Sequence, residues 1–226
     1  MKFGIGTSQH IRNYGILKKK IKRKNLIEII KNFSTKIDLI DTAPSYDNAE
    51  NIIGRYKNKK IKVISKISKL RSKNLTKKFT EIEDNLEKSL KNLKLKKIYG
   101  ILFHNSKDIK ILKEKKFKIK FDRKIRKKVK KIGISCYDIY DIDKYLKIYK
   151  FDIIQFPLNV FNINKRKINY LRKIKKKHNI EFHIRSIFLQ GLSLQDNFKF
   201  SKKFNLFKSK INKINEISQK YKISKY

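Results

Sequence analysis

The chain has 226 residues, of which 39% are hydrophobic and 35% charged, and its formal net charge is +42. A chain of this length can bury a sizeable core, and its 15 phenylalanines and 11 tyrosines exclude an intrinsically disordered protein. The single cysteine, Cys136, excludes an intramolecular disulfide and a multi-cysteine zinc site, so we predict no metal site.

The start of the chain does not resemble a secretory signal, because residues 1–6 contain no apolar segment of the required length. No uncharged apolar run approaches the ~18 residues that a transmembrane helix needs. A single cysteine is compatible with a reducing compartment. We therefore expect a cytoplasmic protein without a membrane partner.

The positive charge raises the question of nucleic-acid binding, because clustered Lys and Arg side chains release counterions from phosphates. Basic runs occur along the whole chain instead of in one tail or helix, for example at 18–20, 94–97, 127–131 and 173–177. Lys, Ile and Asn are also abundant, and A/T-rich codons specify these three residues. The spread of charge therefore favours compositional bias over nucleic-acid binding as the origin of the positive charge. We expect non-specific association with polyanions at low salt and no specific nucleic-acid partner.

Short β-branched apolar runs alternate with segments whose apolar residues lie three or four positions apart, which predicts strands alternating with helices. The predicted strands cover 2–6, 37–41, 61–65, 98–104, 132–135, 152–156 and 180–185. The clearest predicted helices cover 26–33, 79–93, 168–174 and 207–221, and the basic segment 113–126 is predicted to be a surface helix or loop. Such alternation is typical of βαβ units and a parallel sheet. Seven units favour an α/β fold of the (β/α)8 TIM-barrel type, in one domain covering residues 1–226.

An open dinucleotide-binding sheet is the alternative, and it should carry a three-glycine phosphate turn after its first strand. Segment 4–9 supplies Gly4 and Gly6 but no third glycine. A complete barrel typically needs ~250 residues, and the last predicted helix here is the seventh. We therefore expect an incomplete barrel in which strand eight and helix eight are missing.

Ionisable residues follow three successive predicted strands at their carboxyl ends. Asp41 ends the second strand and Tyr46 lies five positions later, Lys66 follows the third strand, and His104 ends the fourth. In parallel α/β folds catalytic groups gather at this end of the strands. Each residue alone has a structural explanation, such as a helix cap for the aspartate or a surface position for the lysine. Their shared position favours a catalytic site.

The residue types in this set predict acid catalysis. Tyrosine has an ordinary pKa of ~10, and a buried lysine beside it would favour the phenolate, while an aspartate would hold the ammonium in place. Tyr46 could then donate a proton to a forming oxyanion, and His104 could orient the carbonyl oxygen or relay the proton.

Further motifs connect the chain to a known family. The opening reads Gly-Thr-Ser-Gln at 6–9 and Asn-Tyr-Gly-Ile at 13–16, and segment 41–47 matches Asp-Thr-Ala-x-x-Tyr-Gly except that Asp47 replaces the glycine. On these motifs the sequence resembles the aldo-keto reductase family, and most of all a bacterial branch of it. The resemblance covers essentially all 226 residues. It implies a TIM barrel with Asp41, Tyr46, Lys66 and His104 as the catalytic set.

The resemblance also implies a nicotinamide cofactor, NADP(H) or NAD(H), and a small-molecule carbonyl substrate. In the family, a strand-five serine with the next residue, and a strand-six glutamine, hold the nicotinamide carboxamide. After strand seven an aromatic residue packs on the ring, and backbone amides approach the pyrophosphate. The matching positions are Ser135, Cys136, Gln155, Ser186, Phe188, Gln190, Gly191 and Leu192.

The family normally continues through strand eight to a helix N-terminus that holds the adenosine 2′-phosphate, a type of anion site that helix ends provide. Without strand eight, strands one and seven would have open edges. Three explanations stay open: a truncated gene product, a partner chain or self-association that closes the barrel, or a degenerate member without activity. The functional hypotheses are accordingly an NAD(P)H-dependent reductase, a catalytically impaired homologue, and a basic nucleic-acid-binding protein.

Overall fold

The computed structural model describes residues 3–10, 22–33, 36–58, 60–194 and 205–224, with only the backbone at 205 and 206. Seven parallel strands form one sheet in the order of the chain and curve into a nearly closed barrel. The strands are β1 Gly4–Gly6, β2 Leu39–Asp41, β3 Lys62–Ile67, β4 Ile98–Phe103, β5 Val129–Ser135, β6 Ile153–Pro157 and β7 Glu181–Arg185. The α-helices are α1 Arg23–Phe33, α2 Ala49–Tyr56, α3 Leu75–Leu93, α4 Lys115–Ile125, α5 Ile142–Ile148, α6 Lys165–Lys177 and α7 Asn205–Lys220.

This architecture confirms the predicted incomplete TIM barrel, and every predicted strand lies on an observed one. The largest difference is at β5, which begins at Val129, whereas the apolar pattern placed its start at 132 because lysines occupy 130 and 131. The basic segment 113–126 forms helix α4, whose Phe117, Phe121 and Ile125 are buried at four-residue spacing. No helix in the described ranges is both long and apolar enough to cross a bilayer.

Helix α3 shows how the sequence specifies the outer layer of helices. The side chain of Asn74 accepts a hydrogen bond from the backbone N–H of Lys77 at 3.0 Å, which caps the start of the helix. Its apolar residues recur every three or four positions and are buried against the sheet, at Phe79, Ile82, Leu86, Leu90 and Leu93. The helix ends at Leu93 and is followed by Lys94, which adopts a left-handed conformation with φ of 53°.

The barrel interior contains a thin apolar layer formed by Ile64, Leu102 and Ile153, all fully buried. Gly133 borders this layer. Only glycine fits there, because a Cβ would be 2.5 Å from the carbonyl oxygen of Ile153. At the amino ends of the strands the interior is polar instead. There Glu181 accepts hydrogen bonds from Tyr99 at 2.8 Å and from Lys131 at 2.5 Å.

Strands β1 and β7 form the two edges of the sheet. Each pairs with one neighbour, β2 and β6 respectively, and the described residues show no pairing between them. Both edges carry exposed apolar side chains, such as Phe3 at 61% and Ile184 at 46% exposure. The barrel is therefore open between β7 and β1 over the described part of the chain.

Candidate active site

The carboxyl ends of β2, β3 and β4 bring the predicted catalytic residues together. Asp41 is the last residue of β2, Lys66 lies near the end of β3, and His104 directly follows β4. Lys66 and Ile64 are two positions apart and therefore share the interior face, because strand side chains alternate between faces. The apolar layer thus forms the floor of the site, and the ionisable groups lie above it.

Lys66 is buried to 1% exposure, which is unusual for a lysine and costly without partners. Its ammonium donates to the Asp41 carboxylate at 2.7 Å and to the Thr42 carbonyl oxygen at 3.0 Å. Asp41 is thus the charged partner of the lysine. The lysine therefore keeps two oxygen partners at the centre of the site.

Tyr46 lies over this pair, in a turn closed by a hydrogen bond from its backbone N–H to the Ala43 carbonyl oxygen at 3.0 Å. The Lys66 nitrogen is 5.0 Å from the centre of the Tyr46 ring, a cation–π distance. The ring centres of Tyr46 and His104 are 6.0 Å apart, edge to face. The structure therefore brings all four predicted residues into one cluster.

Burial, together with the positive charge of Lys66, lowers the pKa of His104 to about 4. The imidazole is therefore neutral near pH 7. A neutral imidazole can donate a hydrogen bond from one nitrogen without adding positive charge to the site.

Two groups that sequence reasoning missed hold the turn between Asp41 and Tyr46 in place. The Thr7 hydroxyl contacts the Thr42 hydroxyl at 2.9 Å and the Asp41 carbonyl oxygen at 3.2 Å, which ties the end of β1 to the end of β2. Glu50, on α2 just after the turn, is buried to 1% exposure. The signal for Thr7 was its place in the 6–9 motif, and the signal for Glu50 was its position three residues after the 41–47 motif.

The Glu50 carboxylate accepts from the Ser65 hydroxyl at 2.6 Å and from the Asn92 side-chain amide at 3.1 Å. Ser65 immediately precedes Lys66 in β3, and Asn92 belongs to α3. Glu50 therefore links the helix that follows Tyr46 to the strand that carries Lys66. It acts on the site through these neighbours and does not itself contact the catalytic cluster.

The backbone conformation at position 47 explains why Asp47 can replace the glycine of the family motif. Asp47 has a φ of 47°, in the left-handed region that glycine adopts without cost. Aspartate is among the few other residues that enter this region routinely. The replacement of the motif glycine by Asp47 therefore preserves the turn that carries Tyr46.

The positions predicted to hold the nicotinamide carboxamide lie side by side. Ser135 and Gln155 are register partners at the ends of β5 and β6, and both are buried. The Gln155 Oε1 atom is buried and has no hydrogen-bond partner among the described residues. A buried acceptor without a partner fits a ligand amide that would donate to it.

Cys136 is placed differently from Ser135, because successive strand residues face opposite sides. Its thiol belongs to the core between sheet and helices, where burial raises its pKa to about 12. The thiol therefore does not point to the mouth of the barrel, and of these two predicted ligands only Ser135 offers a side chain there.

The remaining predicted cofactor residues lie in the loop after β7. Ser186, Leu189, Gln190 and Gly191 all have positive φ values, of 58°, 47°, 57° and 91°. Leu192 is fully buried and anchors the loop, while Phe188 is 39% exposed. Left-handed backbone at non-glycine residues is costly and gathers at ligand-binding loops. The motif segment 13–16 lies outside the described residues.

The fold and the strand-end cluster place the chain among the parallel βα barrels. The profile of the aldo/keto reductase family matches residues 2–226. The chain belongs to the aldo/keto reductase family.

Solved structures similar to this chain have the same fold. The glycerol dehydrogenase of Gluconobacter oxydans is 20% identical with a TM-score of 0.68, and the match covers 98% of this chain and 75% of that one. An aldo-keto reductase of Bombyx mori in complex with NADP is 17% identical with a TM-score of 0.63, covering 97% and 71%. An aldo/keto reductase of Brucella melitensis is 18% identical with a TM-score of 0.58, covering 96% and 73%. No curated protein matches the chain.

Proposed function

We propose that the protein is an NAD(P)H-dependent oxidoreductase that reduces an aldehyde, a ketone or a sugar-type carbonyl to the alcohol. The observation that carries this proposal is the ion pair of the buried Lys66 with Asp41, whose ammonium nitrogen is 5.0 Å from the centre of the Tyr46 ring. A cation beside a phenol favours loss of the phenol proton. Membership of the aldo/keto reductase family supports the reaction class.

Tyr46 is the proposed general acid. It donates its proton to the carbonyl oxygen as that oxygen gains negative charge, a contribution typically worth 10²–10⁴-fold in rate. Lys66 stabilises the phenolate that remains, and Asp41 keeps the ammonium aimed at the ring. Neutral His104 orients the carbonyl oxygen through an N–H of its ring.

The residues at the mouth fit a nicotinamide nucleotide. When bound, that cofactor supplies the hydride that adds to the carbonyl carbon. Ser135 and the unpartnered Gln155 Oε1 would hold the carboxamide, and loop residues Ser186 to Leu192 would lie along the ring and the pyrophosphate. The family membership supports NADP(H) or NAD(H) in this role.

Two further features support proposals on the location and the assembly of the protein. The single cysteine, buried in the core, supports the proposal of a cytoplasmic protein. The exposed Phe3 and Ile184 on the open edges support a strand, from a partner chain or by self-association, that closes the barrel between β7 and β1.

Substitution of Tyr46 tests the proposal. Tyr46→Phe should lower the turnover of aldehydes with NADPH or NADH by about 10²–10⁴-fold and leave nucleotide binding, followed by nucleotide fluorescence, unchanged. Tyr145→Phe is the matched control, since Tyr145 on α5 is equally buried but donates to Asp141, which directly precedes that helix. Equal activity of Tyr46→Phe and wild type would reject Tyr46 as the acid. A wild-type protein that binds neither nucleotide would instead identify a non-catalytic homologue.

A further inference from the structure

We propose that Arg185 forms an anion-binding subsite at the mouth of the barrel, so that the preferred carbonyl substrates carry a carboxylate. The subsite deepens the proposed function and rests on it for the identity of the substrate. The binding of a carboxylate by Arg185 itself does not depend on catalysis and can be measured separately.

The position of Arg185 follows from the alternation of side chains in β7. Glu181, His183 and Arg185 share one face of the strand, and Glu181 contacts Tyr99 and Lys131 inside the barrel. Arg185 is the last residue of β7, so this interior face brings it to the carboxyl end of the strands. The guanidinium therefore lies at the same end of the barrel as the catalytic cluster.

Within the described part of the chain two contacts involve the guanidinium, and only one of its N–H donors is used in a hydrogen bond. Arg185 Nη2 is 3.4 Å from the Cys136 carbonyl oxygen, a long hydrogen bond across the end of β6. Its Cζ lies 4.7 Å from the centre of the Tyr137 ring. A guanidinium carries several N–H donors in a planar fork that matches a carboxylate. The approach to the Tyr137 ring is a cation–π distance and occupies none of these donors.

No carboxylate lies within ion-pairing distance of Arg185 over the described ranges, whereas Lys66 is paired with Asp41 and Lys131 with Glu181. The two carboxylates near the end of β5 have other partners. Asp138 accepts from the backbone N–H of Tyr140 at 2.9 Å, and Asp141 accepts from the Tyr145 hydroxyl at 3.1 Å.

The catalytic cluster lies within electrostatic reach of this cation. The positive charge of Arg185 adds to the effects of burial and Lys66 in lowering the pKa of His104. A substrate whose carbonyl oxygen is near Tyr46 and His104 could therefore present a carboxylate to the guanidinium on the opposite side of the mouth. Charge-assisted bidentate pairing would then select acidic carbonyl compounds over their neutral analogues.

A pair of substrates that differ only in charge tests the subsite, namely 4-carboxybenzaldehyde and its methyl ester. Arg185→Met should lower kcat/KM for the acid by about 10- to 100-fold and leave the ester nearly unchanged. Arg166→Met is the matched control, since Arg166 also stacks on a tyrosine, Tyr140 at 5.4 Å, but belongs to helix α6. Arg185→Lys, which keeps the charge, should retain part of the preference for the acid.

Benzoate binding to the nucleotide-free protein, measured by calorimetry with benzamide as the neutral control, gives a readout without turnover. Wild type should bind benzoate more tightly than benzamide, and Arg185→Met should remove that difference. If Arg185→Met loses the benzoate preference and wild type reduces no carbonyl compound, the subsite is supported and the proposed function is contradicted. An unchanged benzoate preference in Arg185→Met would overturn the subsite. The subsite would also be overturned if Arg185→Met bound the nucleotide more weakly while its kcat/KM ratio for acid over ester stayed the same, since Arg185 would then be assigned to the cofactor diphosphate.

Discussion

Asp41 and Lys66 form an ion pair whose partners differ in exposure. The side chain of Lys66 is 2% exposed and that of Asp41 is 19% exposed, with 2.7 Å between the ammonium nitrogen and a carboxylate oxygen. Water can therefore hydrate the carboxylate if its partner is removed, but it cannot hydrate the ammonium. The cost of breaking the pair should depend on which residue is left behind.

We predict that Asp41→Asn destabilises the fold more than Lys66→Met does. Asp41→Asn leaves a buried ammonium without a counter-charge, with only neutral oxygen partners such as the Thr42 carbonyl, at a cost of about 3 kcal/mol. Lys66→Met leaves a partly hydrated carboxylate and should cost about half as much. Urea unfolding of both variants and of the double variant would measure the difference. Equal costs would contradict the asymmetry.

The stability contributed by His104 should depend on pH. Its pKa is about 4 in the folded protein, below the ordinary value of 6.5, so the unfolded chain binds a proton first as the pH falls. This contribution is complete above pH 6.5 and is lost progressively between pH 6.5 and 4, by up to about 3 kcal/mol.

His104→Asn removes the titrating group and serves as the control. The unfolding free energy of wild type should therefore fall relative to that of His104→Asn as the pH falls from 7 to 4. Urea unfolding at several pH values would show it. A difference that stays constant over this range would mean that His104 titrates normally in the folded protein.

Glu50 should be a stability residue that also affects catalysis through position. Glu50→Ala leaves the buried Ser65 hydroxyl and Asn92 amide without their acceptor, which should cost about 2–3 kcal/mol. Glu50→Gln keeps one acceptor oxygen and should cost about 1 kcal/mol. Because both variants leave Tyr46 and Lys66 in place, remaining activity should keep the wild-type pH profile. A changed profile would assign Glu50 a direct chemical role.

Gln155 should show opposite effects on stability and on ligand binding. Gln155→Leu removes a buried acceptor without a partner, so the nucleotide-free protein should be as stable as wild type or more stable by about 1 kcal/mol. Affinity for NADPH should fall by about tenfold, since the leucine cannot accept the carboxamide N–H. Thermal unfolding with and without nucleotide would measure both effects. Gln219→Leu, at an exposed position of α7, is the control.

The barrel and the cluster of Asp41, Lys66 and His104 were predictable from the sequence because both depend on local patterns. Apolar runs gave the strands, and in a parallel sheet the residues that end neighbouring strands must lie together, as Asp41, Lys66 and His104 do. The inward direction of Ser135 and the outward direction of Cys136 also follow from strand alternation, although the resemblance alone paired them as ligands.

The supporting contacts were not predictable in the same way. The Glu50 network joins residues that are 15 and 42 positions apart in the chain, and only the packing of α2 on α3 brings them together. Gly54 illustrates this packing, since a Cβ there would lie 2.2 Å from the Asn92 carbonyl oxygen. The role of Arg185 likewise depends on the stacking with Tyr137 from another strand end, which no spacing within β7 indicates.

The apolar layer of Ile64, Leu102 and Ile153 separates two charged regions of the barrel interior. Above it lie Lys66 and Asp41, and below it lie Lys131 and Glu181. A layer one side chain thick acts as a seal against water, because a chain of water molecules through it would have no hydrogen-bonding groups to follow. On the side of β3, β4 and β6, solvent and protons can therefore reach the tyrosine from the mouth of the barrel and not through its floor.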